Sequence, residues 1–183
     1  MASKARSWLS HPVNIRVARP DELPLLQTLE LAAGVLFRDI GMTDIADHPP
    51  PSLEVFDHAR QAGHLWVTAG ADDQVTGFVL VELVDGAAHV EQVSVHPDHQ
   101  GQGLGRLLIE HVDAWAAAEG LPALTLSTFR NVPWNGPYYA RLGFVELRAG
   151  ELTPGLTEIQ AAETAFGLDP AERIFMRRPV AAQ

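Results

Sequence analysis

The sequence predicts an α/β domain with a mixed sheet and helices on both sides, and three observations predict it. Apolar runs of strand length flank Asp85-Gly86, a dipeptide that tolerates the left-handed backbone of a two-residue hairpin turn. A long amphipathic pattern from Gly103 to Glu119 follows the second of those runs, after a glycine-rich turn. Further strand-like runs lie on both sides of that helix, which is unlike the repeated βαβ units of a dinucleotide-binding fold.

Taken in order, Asn14 to Ala18 alternates as a first strand, and Pro20-Asp21 marks its stop and the start of a helix ending about Gly34. Phe37 to Pro51, with Arg38, Asp39, Asp44, Asp47, His48 and three consecutive prolines, is expected to be an irregular loop. A second helix is expected from after Ser52 to before Gly63, then a meander of strands at Leu65–Ala69, Val75–Val84 and Ala88–Val95. In the helix from Gly103 to Glu119 the stripe Leu104, Leu107, Leu108, Val112, Trp115 and Ala118 is expected to face the core. A strand at Leu124–Leu126, a short helix at Trp134–Arg141 and a strand at Phe144–Leu147 come next. An extra helix at Gly155–Phe166 precedes a last strand at Arg173–Met176. Residues 1–12 read as a flexible tail and residues 13–179 as one domain.

The chain has 183 residues, enough for one sizeable core. With 46% apolar and 20% charged residues, a folded domain is expected. Cysteine is absent, which excludes disulfides, zinc–thiolate sites and a cysteine nucleophile. A formal charge of -10 argues against a nucleic-acid partner and suits a cationic substrate. No run approaches membrane-spanning length and no signal-peptide pattern follows Lys4 and Arg6, so no membrane association and a cytoplasmic location are expected. The histidines show no metal-ligand spacing, and no metal is expected.

The stretch Val93-Ser94-Val95-His96-Pro97-Asp98-His99-Gln100-Gly101-Gln102-Gly103-Leu104-Gly105-Arg106 carries the chemistry. A strand ends, three glycines follow at alternate positions, and a long helix begins. Glycine removes the Cβ atoms that would block a bulky anion, while the first helical amides are free to bind it. A P-loop would need Lys followed by Ser or Thr where Gly105-Arg106-Leu107 stands.

With Gln100, Gly103 and Gly105 in the spacing of its cofactor motif, the chain resembles the GNAT superfamily, the GCN5-related N-acetyltransferases. A second segment, Asn135-Gly136-Pro137-Tyr138-Tyr139-Ala140-Arg141-Leu142-Gly143-Phe144, is similar to that family's helix and its Gly-Phe ending. The resemblance implies a mostly antiparallel central sheet with splayed central strands and acetyl-CoA as cofactor. It also implies transfer of an acetyl group, by direct attack, to a primary amine of a small molecule or peptide. Backbone groups at Val93 and Val95 would hold pantetheine, and Gln100, Gly101, Gln102, Gly103, Leu104, Gly105 and Arg106 would surround the pyrophosphate. The thioester would lie between the strand ending at Val95 and Leu124–Ser127. Tyr139 would be the acid that protonates the leaving thiolate, and either Asn131 or Asn135 would take a further cofactor contact.

For the base, Glu91 is the preferred candidate, since it shares the alternating face of Val93 and Val95 and burial would raise its pKa. His89, on the same face, is the next choice. Ser127, Thr128 and Asn131 are candidates to bond the cofactor's amides or the acceptor, with Trp134 and Phe129 walling the acyl slot. Phe37, Asp39, Asp44 and Asp47 would meet the acceptor amine. The 155–166 insertion covers the acceptor side or supports a homodimer. A rival reading is a non-catalytic acyl-CoA-binding regulatory or interaction module, which would retain CoA without releasing thiol.

Overall fold

The computed structural model describes residues 13–181, so the expected tail over residues 1–12 lies outside the described residues. Seven strands, β1 (Asn14–Val17), β2 (Leu65–Ala69), β3 (Val75–Val84), β4 (Ala87–Val95), β5 (Ala123–Phe129), β6 (Val145–Glu146) and β7 (Arg173–Pro179), bond in the order β1-β2-β3-β4-β5-β7-β6. The pairings β1–β2, β5–β7 and β6–β7 are antiparallel, and β4–β5 is parallel. The sheet is therefore mixed and mostly antiparallel, as expected. Its parallel ladder is short, running only from Ala88↔Leu124 to Val90↔Leu126. Beyond that point β5 keeps its partner on the other side, as far as Phe129↔Arg173.

Packing divides the chain into two compact units, one running up to Val79 and resuming over Val93–Leu108, the other made of Leu80–Gln92 and everything from Ile109 onward. In the first unit, α1 (Leu23–Gly34) buries Leu23, Leu26 and Leu29, and α4 (Leu53–Gln61) buries Phe56 and Ala59. Phe56 meets Phe78 edge to face, with ring centroids 5.4 Å apart. Ser52 starts α4 by accepting the Val55 amide at 3.2 Å.

The stretch between these helices corrects one expectation, because it is not wholly irregular. It forms two single turns, α2 (Leu36–Asp39) and α3 (Thr43–Ala46). The Ala46 amide closes the second turn on the Met42 carbonyl at 3.1 Å, and Ala46 is buried. Four-residue helices are shorter than any window in which helical periodicity is visible, so only the burial of Ala46 distinguishes this turn from a loop.

In the second unit, Asp85 (φ 49°) and Gly86 (φ 78°) make the expected left-handed hairpin turn between β3 and β4. The unit also contains α6 (Gly136–Arg141) and α7 (Pro154–Ala165), the latter being the extra helix before β7. The central helix α5 (Leu104–Ala118) runs through both units, and its core face is rotated from the expected stripe. Leu104, Leu108, Ile109, Val112 and Ala116 are buried, whereas Leu107 is 39% exposed, Trp115 is half-buried and Ala118 is exposed. Leu107, Leu108 and Ile109 are apolar in succession, so local sequence does not define the phase of the stripe. Folding selects the i, i+4 series from Leu104 as the buried one.

Candidate active site

Within the first unit, β4 ends at half-buried Val95, and Val93 is also half-buried. The His96 Nδ1 accepts the Asp98 amide at 3.2 Å, and a short 3-10 turn at Pro97–His99 leads to Gln100. Gly101 (φ 73°) and Gly103 (φ 79°) are left-handed, and a Cβ built on either would meet nothing within 4 Å. Side chains at these two positions would strain the backbone by about 1–2 kcal/mol each without clashing, so glycine serves conformation here and leaves the surface open. The Gly103 carbonyl accepts the Leu107 amide at 3.0 Å and so begins α5, while buried Leu104 pins its first turn. Gly101, Gln102, Gly103 and Arg106 are exposed and Gly105 is half-buried. Among the described residues, the amides of Gly101, Gln102, Gly103, Leu104 and Gly105 donate no hydrogen bond. Five unpaired donors at the positive end of a 15-residue helix are suited to an anion.

The expected acceptor contacts Phe37 and Asp39 lie on α2, and Asp44 lies on α3, in this same unit. Phe37 is half-buried, and Asp39 and Asp44 are exposed. Asp47 is engaged by Arg38.

The second unit contains the titratable candidates. Tyr139 stands on α6, its amide bonded to the Asn135 carbonyl at 2.9 Å. Its ring meets those of Phe144 and Tyr138 edge to face, at 5.8 Å and 5.4 Å. Phe144 is itself covered by the Arg178 guanidinium, 5.1 Å from its ring centre, and Arg178 is tied to Asp113 at 2.9 Å. The phenol is thus held by a packed frame, and its hydroxyl makes no hydrogen bond among the described residues. Burial, with a smaller contribution from Tyr138, pushes the phenol above its ordinary pKa and keeps its proton in place.

Glu91 and His89 lie on one face of β4, with Glu91 Oε2 3.7 Å from His89 Nε2. Burial pushes the Glu91 carboxyl up to about 7, aided by Glu82 and Glu163 and opposed by Arg173. Its side chain nevertheless keeps 45% of its surface, so protein bulk surrounds the carboxyl without sealing it from an incoming base or water. His89 differs in both respects. It is 1% exposed, its Nδ1 is 2.9 Å from Thr125 Oγ1, and burial lowers it to about 4. A neutral, enclosed imidazole is a core group, and Glu91 is the accessible one.

Three expected contacts fall in the remaining loop. Asn131 is exposed, Asn135 is half-buried with its Nδ2 donating to the Trp134 carbonyl at 3.2 Å, and Trp134 is half-buried. Ser127 is already engaged within the protein, with one lone pair of its hydroxyl left over. It donates to Glu163 Oε2 and accepts from Arg173 Nη2, both at 3.0 Å. Thr128 and Phe129 are buried, and Arg173 covers the Phe129 ring at 4.6 Å. Glu163 and Arg173, neither of which belongs to any recognisable motif, are the residues that sequence reasoning missed. Among the described residues no group of three or more His, Cys, Asp or Glu side chains is arranged to hold a metal ion.

The fold is a mixed α/β sheet flanked by helices, with unpaired amides at the start of α5 in one unit and the buried phenol of Tyr139 and the carboxyl of Glu91 in the other. The family model described as "Acetyltransferase (GNAT) family" matches residues 35–144, and the chain belongs to that family. It is 34% identical over 95 residues to the mycothiol acetyltransferase of Nocardiopsis dassonvillei, covering 52% of this chain and 28% of that protein. It is 30% identical over 80 residues to the peptidyl-lysine N-acetyltransferase YjaB of Salmonella typhimurium, covering 44% of this chain and 49% of that one. The chain therefore spans about half or less of the length of these curated relatives. In fold it is similar to the N-acetylglutamate synthase of Neisseria gonorrhoeae complexed with coenzyme A and N-acetyl-glutamate. That match has a TM-score of 0.70 and 17% identity, covering 93% of this chain and 36% of that chain. No helix among the described residues is long and apolar enough to cross a membrane.

Proposed function

We propose that this chain is an acetyl-CoA-dependent N-acetyltransferase acting on a primary amine of a small molecule or peptide. The observation that carries the reading is the run of unpaired amides from Gly101 to Gly105 at the start of α5. Those donors would bind the pyrophosphate of acetyl-CoA, which supplies the activated acyl group. Membership of the GNAT family, the acetyl transfer stated in both relatives' names and the N-acetylation of peptidyl-lysine stated in one of them support the reaction class.

The residues divide the proton work between two groups. Glu91, held near neutrality by burial, accepts the proton that the amine loses on attacking the thioester carbonyl, directly or through water. Tyr139, protonated and without another hydrogen bond, donates to the sulfur as the C–S bond breaks. A phenol with a raised pKa still protonates a thiolate in the same desolvated surroundings, because loss of water makes the thiolate more basic too. The net charge of -10 favours cationic acceptors.

The reading is tested by thiol release from acetyl-CoA against a panel of amines, amino sugars, amino acids and peptides. Release with at least one amine, accompanied by acetylated product, is expected. Tight retention of CoA with no release across the panel would sink the enzyme reading in favour of a binding module.

A further inference from the structure

The insertion helix α7 is fastened at both ends within its own unit. At its start, Asp85 of the β3–β4 turn takes the place of an N-cap, accepting hydrogen bonds from Thr153 Oγ1 and, at 2.8 Å, from the Gly155 amide. A Cβ at Gly155 would lie 2.6 Å from Val84 Cγ1, so glycine is needed for this approach. Toward its end, Glu163 Oε1 accepts Arg173 Nη2 at 2.7 Å and Glu163 Oε2 accepts Arg173 Nε at 3.1 Å. Ser127 closes the triangle by bonding both partners at 3.0 Å. Side-chain exposures of 12% for Arg173 and 17% for Glu163 make this a sheltered pair, in which each charge is felt more strongly than at an open surface.

We propose that Glu163 and Arg173 are a positioning pair for Glu91: α7 and β7 deliver two opposite charges whose balance sets whether that carboxyl is free to take a proton when the amine arrives. This inference rests on the reading of Glu91 as the base. The strands bring this pair to Glu91: His89 is in register with Thr125 across β4–β5 and touches it at 2.9 Å, and Glu91 and Ser127 each follow two residues on, so the carboxyl and the Ser127–Glu163–Arg173 triangle share one face of the sheet. Four charged or titratable groups bear on Glu91. Glu82 on β3 and Glu163 on α7 disfavour its ionisation, and Arg173 on β7 favours it. His89, 3.7 Å away on the same strand, is neutral at ordinary pH. Because Glu163 and Arg173 are bonded to each other, removing one also unmasks the other. Glu163→Gln deletes a negative charge and leaves Arg173 unopposed, which favours the ionised Glu91. Arg173→Gln does the reverse. A pair that only braced α7, too far from Glu91 for its charges to be felt, would leave the carboxyl's titration unmoved.

The test is a direct titration of the Glu91 side-chain carboxyl carbon by NMR in the full-length protein, the resonance being assigned by its loss in Glu91→Gln. A wild-type midpoint near 7 is expected. It should fall by about one pH unit or more in Glu163→Gln and rise in Arg173→Gln. Arg173→Lys, which keeps the charge, should return the wild-type midpoint. Either charge-removing variant carries the test if the other fails to fold. Unmoved midpoints, or movement in the same direction for both, would overturn the pair. The base role fails separately: if Glu91→Gln leaves the low-pH fall in turnover intact while the midpoints shift as expected, Glu91 is not the base.

Discussion

His89 and Glu91 stand two residues apart on β4, and loss of water drives both towards their uncharged forms. That means about 4 for the imidazole and about 7 for the carboxyl. At neutral pH the histidine is a fixed neutral hydrogen-bond partner of Thr125, while the carboxyl is near the midpoint where a general base is most effective. Tyr139, the proposed acid, has a phenol that stays protonated. Replacing it with Phe keeps the ring contacts with Phe144 and Tyr138 and removes only the proton donor. Turnover of Tyr139→Phe should fall by about 10²-fold or more with acetyl-CoA affinity and melting temperature preserved. Turnover equal to wild type would remove Tyr139 from the mechanism.

The hairpin turn at Asp85-Gly86 does two jobs. Its backbone reverses the chain, and the Asp85 carboxylate reaches Thr153 and Gly155 at the start of a helix 68–70 residues away in sequence. Thr153, although the N-cap residue of α7, supplies no cap of its own. Asp85→Ala loses both the cap and the side chain best able to tolerate φ of 49°, and should cost about 1–2 kcal/mol. Asp85→Asn keeps the left-handed tolerance and one acceptor oxygen, so it should cost distinctly less. Urea unfolding of the two variants distinguishes these cases, and equal midpoints would show that the carboxylate contributes nothing to α7.

Stability against pH follows from the same two titrating groups, with opposite signs. His89 has a folded pKa depressed from 6.5 to about 4, so its contribution is complete above pH 6.5 and is lost as pH falls towards 4, about 3 kcal/mol in all. Glu91 has a folded pKa raised from 4.5 to about 7, so its contribution is complete below pH 4.5 and is lost as pH rises towards 7. Between pH 4.5 and 6.5 the two oppose each other and flatten the wild-type profile. Glu91→Gln removes one of them. Its stability should therefore fall more steeply than wild type on acidification across that window, as read from denaturant midpoints at successive pH values. Parallel profiles would contradict the shift of Glu91.

Residues next to one another in the chain were enough to reveal the glycine turn, the hairpin and most elements, because glycine conformations and strand alternation are local properties. Gly101 and Gly103 are left-handed in the turn that leads into α5, and Asp85-Gly86 turns where a hairpin requires it. The order of motifs along the chain likewise placed Tyr139 before Gly143-Phe144 and marked Glu91 as a carboxyl within an apolar strand. Several features could emerge only on folding. The phase of α5 depends on which of three adjacent apolar residues the surrounding elements cover. The turns α2 and α3 are too short to leave a periodic trace. The Ser127–Glu163–Arg173 triangle joins residues of β5, α7 and β7 that lie up to 46 positions apart in the chain. Electrostatic control of Glu91 belongs to this second kind, because a carboxyl's charge state depends on distances and lost water that only the packed chain creates.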